Sequence, residues 1–163
     1  MHKIKWGIIG CGDVAEVKSG PAFRQVPNSE LVAVMRRNGG KAKDFAHRHN
    51  VAQWYDNADG IIENREINAV YIATPPATHL QYALLALNAG KHVYLEKPMT
   101  MNSQESLQLV EAVKSCDGKL TVAHYRRRLP AFLKVKELLD AGSIGEVRLI
   151  DLQILQPLKS DII

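Results

Sequence analysis

Short runs of apolar residues recur along the chain, separated by longer stretches in which apolar and polar residues mix. Such runs are typical of buried strands, and they predict strands at residues 4–9, 31–35, 69–73, 92–95 and 120–123. Most residues in these runs are apolar, rather than every second one. This pattern indicates strands that are covered by helices on both faces of a sheet.

The stretches between these runs predict helices at residues 13–26, 41–49, 56–64, 76–87, 103–116 and 130–140. Pro76 suits a first helical turn because that position needs no N–H, and Ser103 is expected to cap its helix. The glycines at positions 39 and 40 predict a break before the second helix. Strands that alternate with helices in this way indicate an α/β fold with a doubly wound parallel sheet.

The last segment of the chain follows a different pattern. Residues 146–155 form a long run of mixed polarity, which predicts the first strand of another sheet. We therefore expect one domain over residues 1–124, followed over residues 125–163 by a connecting helix and the first strand of a truncated α+β domain. Because an unpaired strand is an aggregation hazard, either the rest of that domain is missing or the strand pairs elsewhere.

Composition and charge narrow the class of protein. The 163 residues carry a formal net charge of +4, with 46% hydrophobic and 23% charged residues, as in a globular protein. The sequence has no basic stripe interleaved with aromatics and no long apolar segment. We therefore expect neither a nucleic acid nor a membrane as a partner, and a cytoplasmic location. The two cysteines, Cys11 and Cys116, indicate neither a disulfide framework nor a metal site.

The sequence GCGDVA at residues 10–15 stands between the first predicted strand and the first predicted helix. It has the pattern G-x-G-x-x-A. In a Rossmann-type fold Gly10 permits the tight turn, Gly12 lets a pyrophosphate approach the backbone, and Ala15 lets helix and strand pack closely. The helix start then offers N–H groups to the phosphates. The loop predicts dinucleotide binding by Gly10, Gly12, Asp13 and Val14. The alternatives are a purely structural turn and a methyltransferase-type loop.

The end of the second predicted strand bears on the choice of dinucleotide. A protein selective for NAD usually carries a carboxylate there, which binds the ribose 2′-hydroxyl. This chain has Arg36 and Arg37 instead, and arginine can bind a 2′-phosphate bidentately. The pair predicts a preference for NADP(H), with NAD(H) as a second possibility. The alternative is a basic turn that merely faces water.

Further motifs follow in order along nearly the whole chain: ATPPATH at residues 73–79, GKHVYLEKP at 90–98, YRR at 125–127 with Pro130, and GSIGEV at 142–147. Together with the glycine loop they resemble the glucose–fructose oxidoreductase / inositol dehydrogenase (Gfo/Idh/MocA) family. The resemblance implies an oxidoreductase that transfers hydride between NAD(P) and a hydroxyl or carbonyl, often on a sugar or cyclitol. It also implies a substrate-holding second α+β domain, and homo-oligomers of the full-length parent.

The resemblance assigns roles to single residues. It implies that Thr74, Pro75 and His79 line the cofactor pocket, and that Glu96 and Lys97 lie beside the nicotinamide, with Lys97 as the catalytic residue. An ammonium group there stabilises negative charge that develops on the substrate oxygen, or relays a proton. Without the resemblance, Lys97 is interpreted as a surface lysine before a proline-containing turn.

The segment after the strand predicted at residues 120–123 is where the family contacts substrate or nicotinamide. The resemblance therefore implies contacts from Arg126 and His124. The Asp and His that partner the lysine in the family have no match in this chain. Two hypotheses stay open: the cofactor-binding half of an NADP(H)-dependent enzyme that acts on a polyol or sugar-like molecule, and a non-catalytic dinucleotide-binding sensor or regulator.

Overall fold

A single parallel sheet organises the first part of the chain. The structure, a computed structural model, describes residues 3–20 and 22–155. The sheet contains six strands in the order β3-β2-β1-β4-β5-β6, and every neighbouring pair is parallel. The strands are β1 Ile4–Ile9, β2 Ser29–Met35, β3 Gln53–Tyr55, β4 Ala69–Ile72, β5 His92–Leu95 and β6 Leu120–Val122.

Helices connect successive strands, and one further helix follows β6. They are α1 Ala22–Gln25, α2 Gly39–Arg48, α3 Asp59–Ile62, α4 His79–Asn88, α5 Ser103–Lys114 and α6 Pro130–Asp140. Three further segments are irregular helices: a π-helix at Ala15–Ser19, and 3₁₀ turns at Pro76–Thr78 and Tyr125–Arg128.

The core consists of two apolar clusters that use alternate residues of the same strands. Ile9 belongs to a cluster with Leu87 of α4 and Leu109 of α5. Its neighbour Ile8 belongs to a second cluster, with Phe23 of α1 and Phe45 of α2. Successive side chains of a strand point to opposite faces, so helices cover both faces of the sheet. The predicted doubly wound α/β fold is confirmed.

The elements that the pattern predicted wrongly are short or irregular ones. Strand β3 was not predicted, because its sequence QWY is short and its residues are at most half-buried. The helix predicted at residues 56–64 contains only α3. The helix predicted at residues 13–26 is divided into the π-helix and α1, with a turn at Gly20, whose N–H donates to the carbonyl of Ala15 at 2.7 Å.

Two helix starts also differ from prediction, both because an asparagine supplies the cap. The side chain of Asn38 accepts the N–H of Lys41, so the two glycines predicted to break the chain lie inside α2. The side chain of Asn102 accepts the N–H of Glu105 at 2.9 Å, which makes Ser103 the first helical residue rather than the cap.

The described residues fall into two compact units that divide between His124 and Tyr125. The second unit contains a 3₁₀ turn and α6. Residues 146–155, predicted as the first strand of another sheet, form no ladder with any described strand. A strand exists only through hydrogen bonds to a neighbour, so the place of this segment in a second domain stays a prediction. Within the described ranges, no helix has both the length and the apolar character needed to cross a bilayer.

Candidate functional site

The glycine loop is held between the carboxyl ends of two strands that flank β1. The N–H groups of Gly10 and Cys11 both donate to the carbonyl of Met35, at 2.9 and 3.0 Å. Gly10 has a φ of +95°, and a Cβ there would lie 2.9 Å from the carbonyl carbon and oxygen of Ala73. A larger residue is therefore excluded by both backbone conformation and space.

Gly12 has a different environment. A Cβ built on Gly12 would meet no protein atom within 4 Å, so the chain leaves the space above this residue open. The next residues, Asp13 and Val14, are exposed at the start of the helical segment. The Cys11 thiol points into the core, and burial raises its pKa to about 11. The thiol is therefore neutral at ordinary pH, and only the backbone of Cys11 serves the loop.

A cleft of about 370 Å³ opens above the loop. It lies where the chain crosses from one side of β1 to the other, since β2 and β4 flank β1 in the sheet. Ligands of open α/β sheets bind at this kind of switch point, outside the carboxyl ends of the strands. The lining residues come from the glycine loop and from the segments that follow β2 and β4: Gly10, Gly12, Met35, Arg36, Arg37, Asn38, Lys41, Ala73, Thr74, Pro75, Thr78 and Tyr82.

The β2 side of the cleft is basic. Arg36 and Arg37 line it directly after the strand, and Lys41 lines it from the first turn of α2. Sequence reasoning missed Lys41, although its place in the helix that follows the second strand is a usable signal. Asn38 fixes that helix start, because its Oδ1 accepts the N–H of Lys41 at 3.0 Å.

The β4 side of the cleft includes two of the residues implied by the family resemblance, Thr74 and Pro75. Thr78 holds this turn together. Its hydroxyl lies 2.8 Å from the Thr74 hydroxyl and 2.9 Å from the Pro75 carbonyl. Pro75 is extended and precedes the 3₁₀ turn, so its ring is free to line the cleft.

His79, the third of those residues, lies behind the cleft rather than in its lining. Its side chain has no exposed surface. Its Nε2 lies 2.8 Å from the carbonyl oxygen of Thr74 and its Nδ1 lies 2.9 Å from that of Pro98. The ring therefore connects the turn after β4 with the turn after β5. Both ring nitrogens thus already face the protein backbone, and a contact of His79 with the cofactor stays a prediction.

Glu96 and Lys97 lie at the end of β5, beyond the lining of the cleft. The Glu96 carboxylate accepts the Tyr71 hydroxyl at 2.7 Å and the N–H of Lys97 at 3.2 Å. Lys97 itself is exposed, and its ammonium group forms no hydrogen bond or ion pair with the described part of the chain. The arrangement can present a cation to a ligand at this edge of the sheet.

The last predicted contacts are on either side of the unit boundary. His124 follows β6 and is exposed, with its N–H donating to the Val122 carbonyl at 2.7 Å. Arg126 belongs to the second unit, in the turn Tyr125–Arg128, and is exposed. Their contacts with substrate or nicotinamide stay predictions. Among the described residues, no group of three His, Cys, Asp or Glu could hold a metal ion.

Known proteins are similar to this chain in sequence and in fold. The chain is 62% identical over 161 residues to oxidoreductase P35 of Formosa agariphila, over 99% of this chain and 50% of that relative. A 3-ketoreductase from Actinomadura kijaniata, solved with NADP and TDP-benzene, matches with a TM-score of 0.84 and 31% identity, over 90% of this chain and 45% of that one. A scyllo-inositol dehydrogenase from Lactobacillus casei, solved with NAD(H) and scyllo-inositol, matches with a TM-score of 0.82 and 26% identity, over 88% and 43% of the two chains.

The chain spans about half the length of these relatives. Residues 4–124 match the Gfo/Idh/MocA family, described as an oxidoreductase family with an NAD-binding Rossmann fold. That range contains the whole parallel sheet, the glycine loop and the cleft. The chain therefore belongs to the Gfo/Idh/MocA oxidoreductase family and carries its NAD(P)-binding Rossmann domain.

Proposed function

We propose that this chain is the cofactor-binding half of an NADP(H)-dependent oxidoreductase, which transfers hydride to or from a hydroxyl or carbonyl of a sugar- or cyclitol-like substrate. The observation that carries the proposal is the cleft above the glycine loop, with three basic residues on its β2 side. Relatives with NADP and with NAD(H) are both known, so the preference for NADP(H) rests on this chain's own residues.

The chemistry of the β2 side supports the phosphate-bearing cofactor. Arg36, Arg37 and Lys41 line the cleft, whereas no lining residue is acidic. A guanidinium fork matches the oxygens of a phosphate, and a carboxylate in its place would repel them. The open space above Gly12 is where a pyrophosphate would approach the backbone of the loop.

Lys97 is the proposed catalytic residue. The cofactor, when bound, supplies or accepts the hydride. The Lys97 ammonium stabilises the negative charge on the substrate oxygen and holds the proton that moves with it. Glu96 supports this role because its carboxylate accepts the N–H of Lys97. This hydrogen bond restrains the backbone of the motif that follows β5.

The proposal assigns different functions to the two parts of the chain. Residues 1–124 form the dinucleotide-binding domain, and residues 125–163 begin the substrate-holding part. A homo-oligomeric assembly and a cytoplasmic location stay predictions.

Calorimetric titration of the purified chain with NADPH and with NADH tests the cofactor assignment. We expect tighter binding of NADPH, and a loss of about tenfold or more in NADPH affinity for the double variant R36A/R37A and for Lys41→Ala. NADH binding is expected to persist in both. Lys43→Ala, an exposed lysine of α2 outside the cleft, is the matched control. Equal affinities for the two cofactors in the unmodified protein would contradict the NADP(H) preference.

The reaction is tested with the full-length parent protein, by following NADPH formation from NADP with a panel of polyols, cyclitols and sugars. Lys97→Met is expected to abolish turnover while NADPH binding persists, because the ammonium acts on the substrate oxygen. Turnover by the Lys97→Met variant equal to that of the unmodified protein would contradict the catalytic assignment.

A further inference from the structure

Tyr82 is a residue of the cleft that none of the sequence motifs singled out. It lies on α4, four residues after Thr78, so the two side chains share one face of the helix. Both line the cleft from the β4 side, and Pro75 completes that side. The β2 side carries the three basic residues. The cleft therefore has one cationic wall and one wall that offers a proline ring and a phenol.

The hydroxyl groups of Thr78 and Tyr82, both on the β4 side, differ in availability. The Thr78 hydroxyl is already held between the Thr74 hydroxyl and the Pro75 carbonyl. The Tyr82 hydroxyl forms no hydrogen bond with any residue that the structure describes. The Tyr82 hydroxyl is therefore still able to bind a ligand.

The ring of Tyr82 is also held in place before any ligand arrives. It is half-buried and packs against the apolar cluster that includes Ala83 and Leu87. An aromatic ring loses little conformational entropy when a ligand stacks on it, since the core already restricts its rotation. The exposed part of the ring is therefore a preorganised flat surface inside the cleft.

We infer that Tyr82 is the surface on which the adenine of the dinucleotide stacks, and that its hydroxyl hydrogen-bonds the base. This inference rests on the proposed function. With a ribose phosphate on Arg36, Arg37 and Lys41, the attached base lies within the same cleft, and a purine presents two flat apolar faces. Stacking on an aromatic side chain contributes to binding of any base, and the phenol adds a directional contact.

The experiment compares affinities for 2′,5′-ADP, which contains the adenine half of the cofactor without the nicotinamide half. Tyr82→Ala is expected to weaken 2′,5′-ADP and NADPH by about tenfold, the usual effect of removing one stacking ring. Tyr82→Phe keeps the stacking surface, so it should retain most of that affinity. Leu85→Ala, which truncates a partly exposed side chain of the same helix outside the cleft, is the matched control. Far-UV circular dichroism and a thermal melt verify that each variant is folded.

The outcomes separate the inference from the proposal beneath it. If the unmodified protein binds 2′,5′-ADP and Tyr82→Ala binds it equally well, the assignment of Tyr82 is overturned while the dinucleotide site stands. If Leu85→Ala weakens binding as much as Tyr82→Ala, the effect comes from the helix and the inference is again overturned. If the unmodified protein binds neither 2′,5′-ADP nor NADPH, the proposed function fails, and the role of Tyr82 fails with it.

Discussion

The hydroxyl of Tyr71 donates a hydrogen bond of 2.7 Å to Oε1 of Glu96, and this bond joins the buried middle of β4 to the end of β5. Tyr71 has no exposed surface, so the carboxylate of Glu96 is anchored from inside the protein. Its other oxygen, Oε2, accepts the N–H of Lys97 at 3.2 Å. The core thus determines the position of the residue proposed to act on substrate.

The first prediction concerns this bond. Tyr71→Phe keeps the ring but removes one of the two donors to the carboxylate. The free energy of unfolding should therefore fall by about 1.5–3 kcal/mol, as for a hydrogen bond to a charged group. Tyr55→Phe is the matched control, because the Tyr55 hydroxyl donates to a neutral acceptor, Gln53, at 2.8 Å. A smaller loss is expected there. Urea unfolding measures both, and an equal loss in the two variants would argue against an anchoring role for Tyr71.

A second prediction separates the two glycines of the loop. Gly10→Ala places a Cβ 2.9 Å from the Ala73 backbone at a φ of +95°, and it should lower the free energy of unfolding by about 2 kcal/mol or more. Gly12→Ala meets no protein atom within 4 Å, so stability should change by less than about 1 kcal/mol.

NADPH binding, unlike stability, should be sensitive to Gly12→Ala. If the cofactor's pyrophosphate occupies the space above Gly12, a methyl group there should weaken NADPH binding by about tenfold. The protein itself should stay stably folded. Urea unfolding and calorimetric titration of the same samples provide both quantities. NADPH affinity that is unaffected by Gly12→Ala would contradict the proposed path of the phosphates.

A third prediction follows from the ion pair beneath the loop. The Arg48 guanidinium forms a bidentate pair with the Glu16 carboxylate, and the His49 ring nitrogen lies 2.7 Å from it. Arg48 first, and His49 second, lower the pKa of Glu16 from 4.5 to about 2. A depressed carboxyl pKa means that this pair stabilises the fold above pH 4.5 and that its contribution is lost as the pH falls from 4.5 toward 2.

Glu16→Gln should therefore lower the free energy of unfolding at neutral pH by about 1 kcal/mol, the upper range for a partly exposed pair. The difference from the unmodified protein should shrink as the pH falls below 4.5. Glu111→Gln, which removes an exposed pair with Lys114, is the control and should change stability by less than about 0.5 kcal/mol. Urea unfolding over this pH range measures the trend, and a difference that grows toward acid pH would refute it.

A fourth prediction compares two helix caps of the same chemistry. Asn38→Ala and Asn102→Ala each remove a side-chain acceptor from a helix start, and each should lower the free energy of unfolding by about 1 kcal/mol. Only Asn38 lies at the cleft, where its cap orients the helix turn that carries Lys41. NADPH affinity should therefore fall in Asn38→Ala and not in Asn102→Ala. A similar loss of affinity in both would mean that the cap acts through general stability.

The sequence was sufficient to predict most of the sheet and the position of the dinucleotide loop. Strands that are covered on both faces are largely apolar, so five of the six strands are visible as short apolar runs. The turn at Gly10 needs a positive φ, which makes glycine a local requirement that can be recognised without knowing its neighbours. The family, too, could be recognised from motifs that are contiguous along the chain.

The tertiary structure alone decided which separated side chains meet. Strand β3 is defined by pairing with β2, and residues 146–155 form no ladder with the described strands, although their local pattern is strand-like. Lys41 and Tyr82 lie on different helices, and only the sheet order, with β1 between β2 and β4, brings them to one cleft. His79 has the sequence position of a pocket residue, yet its ring faces two backbone carbonyls. Such placements depend on contacts between distant segments, and local propensity carries no information about them.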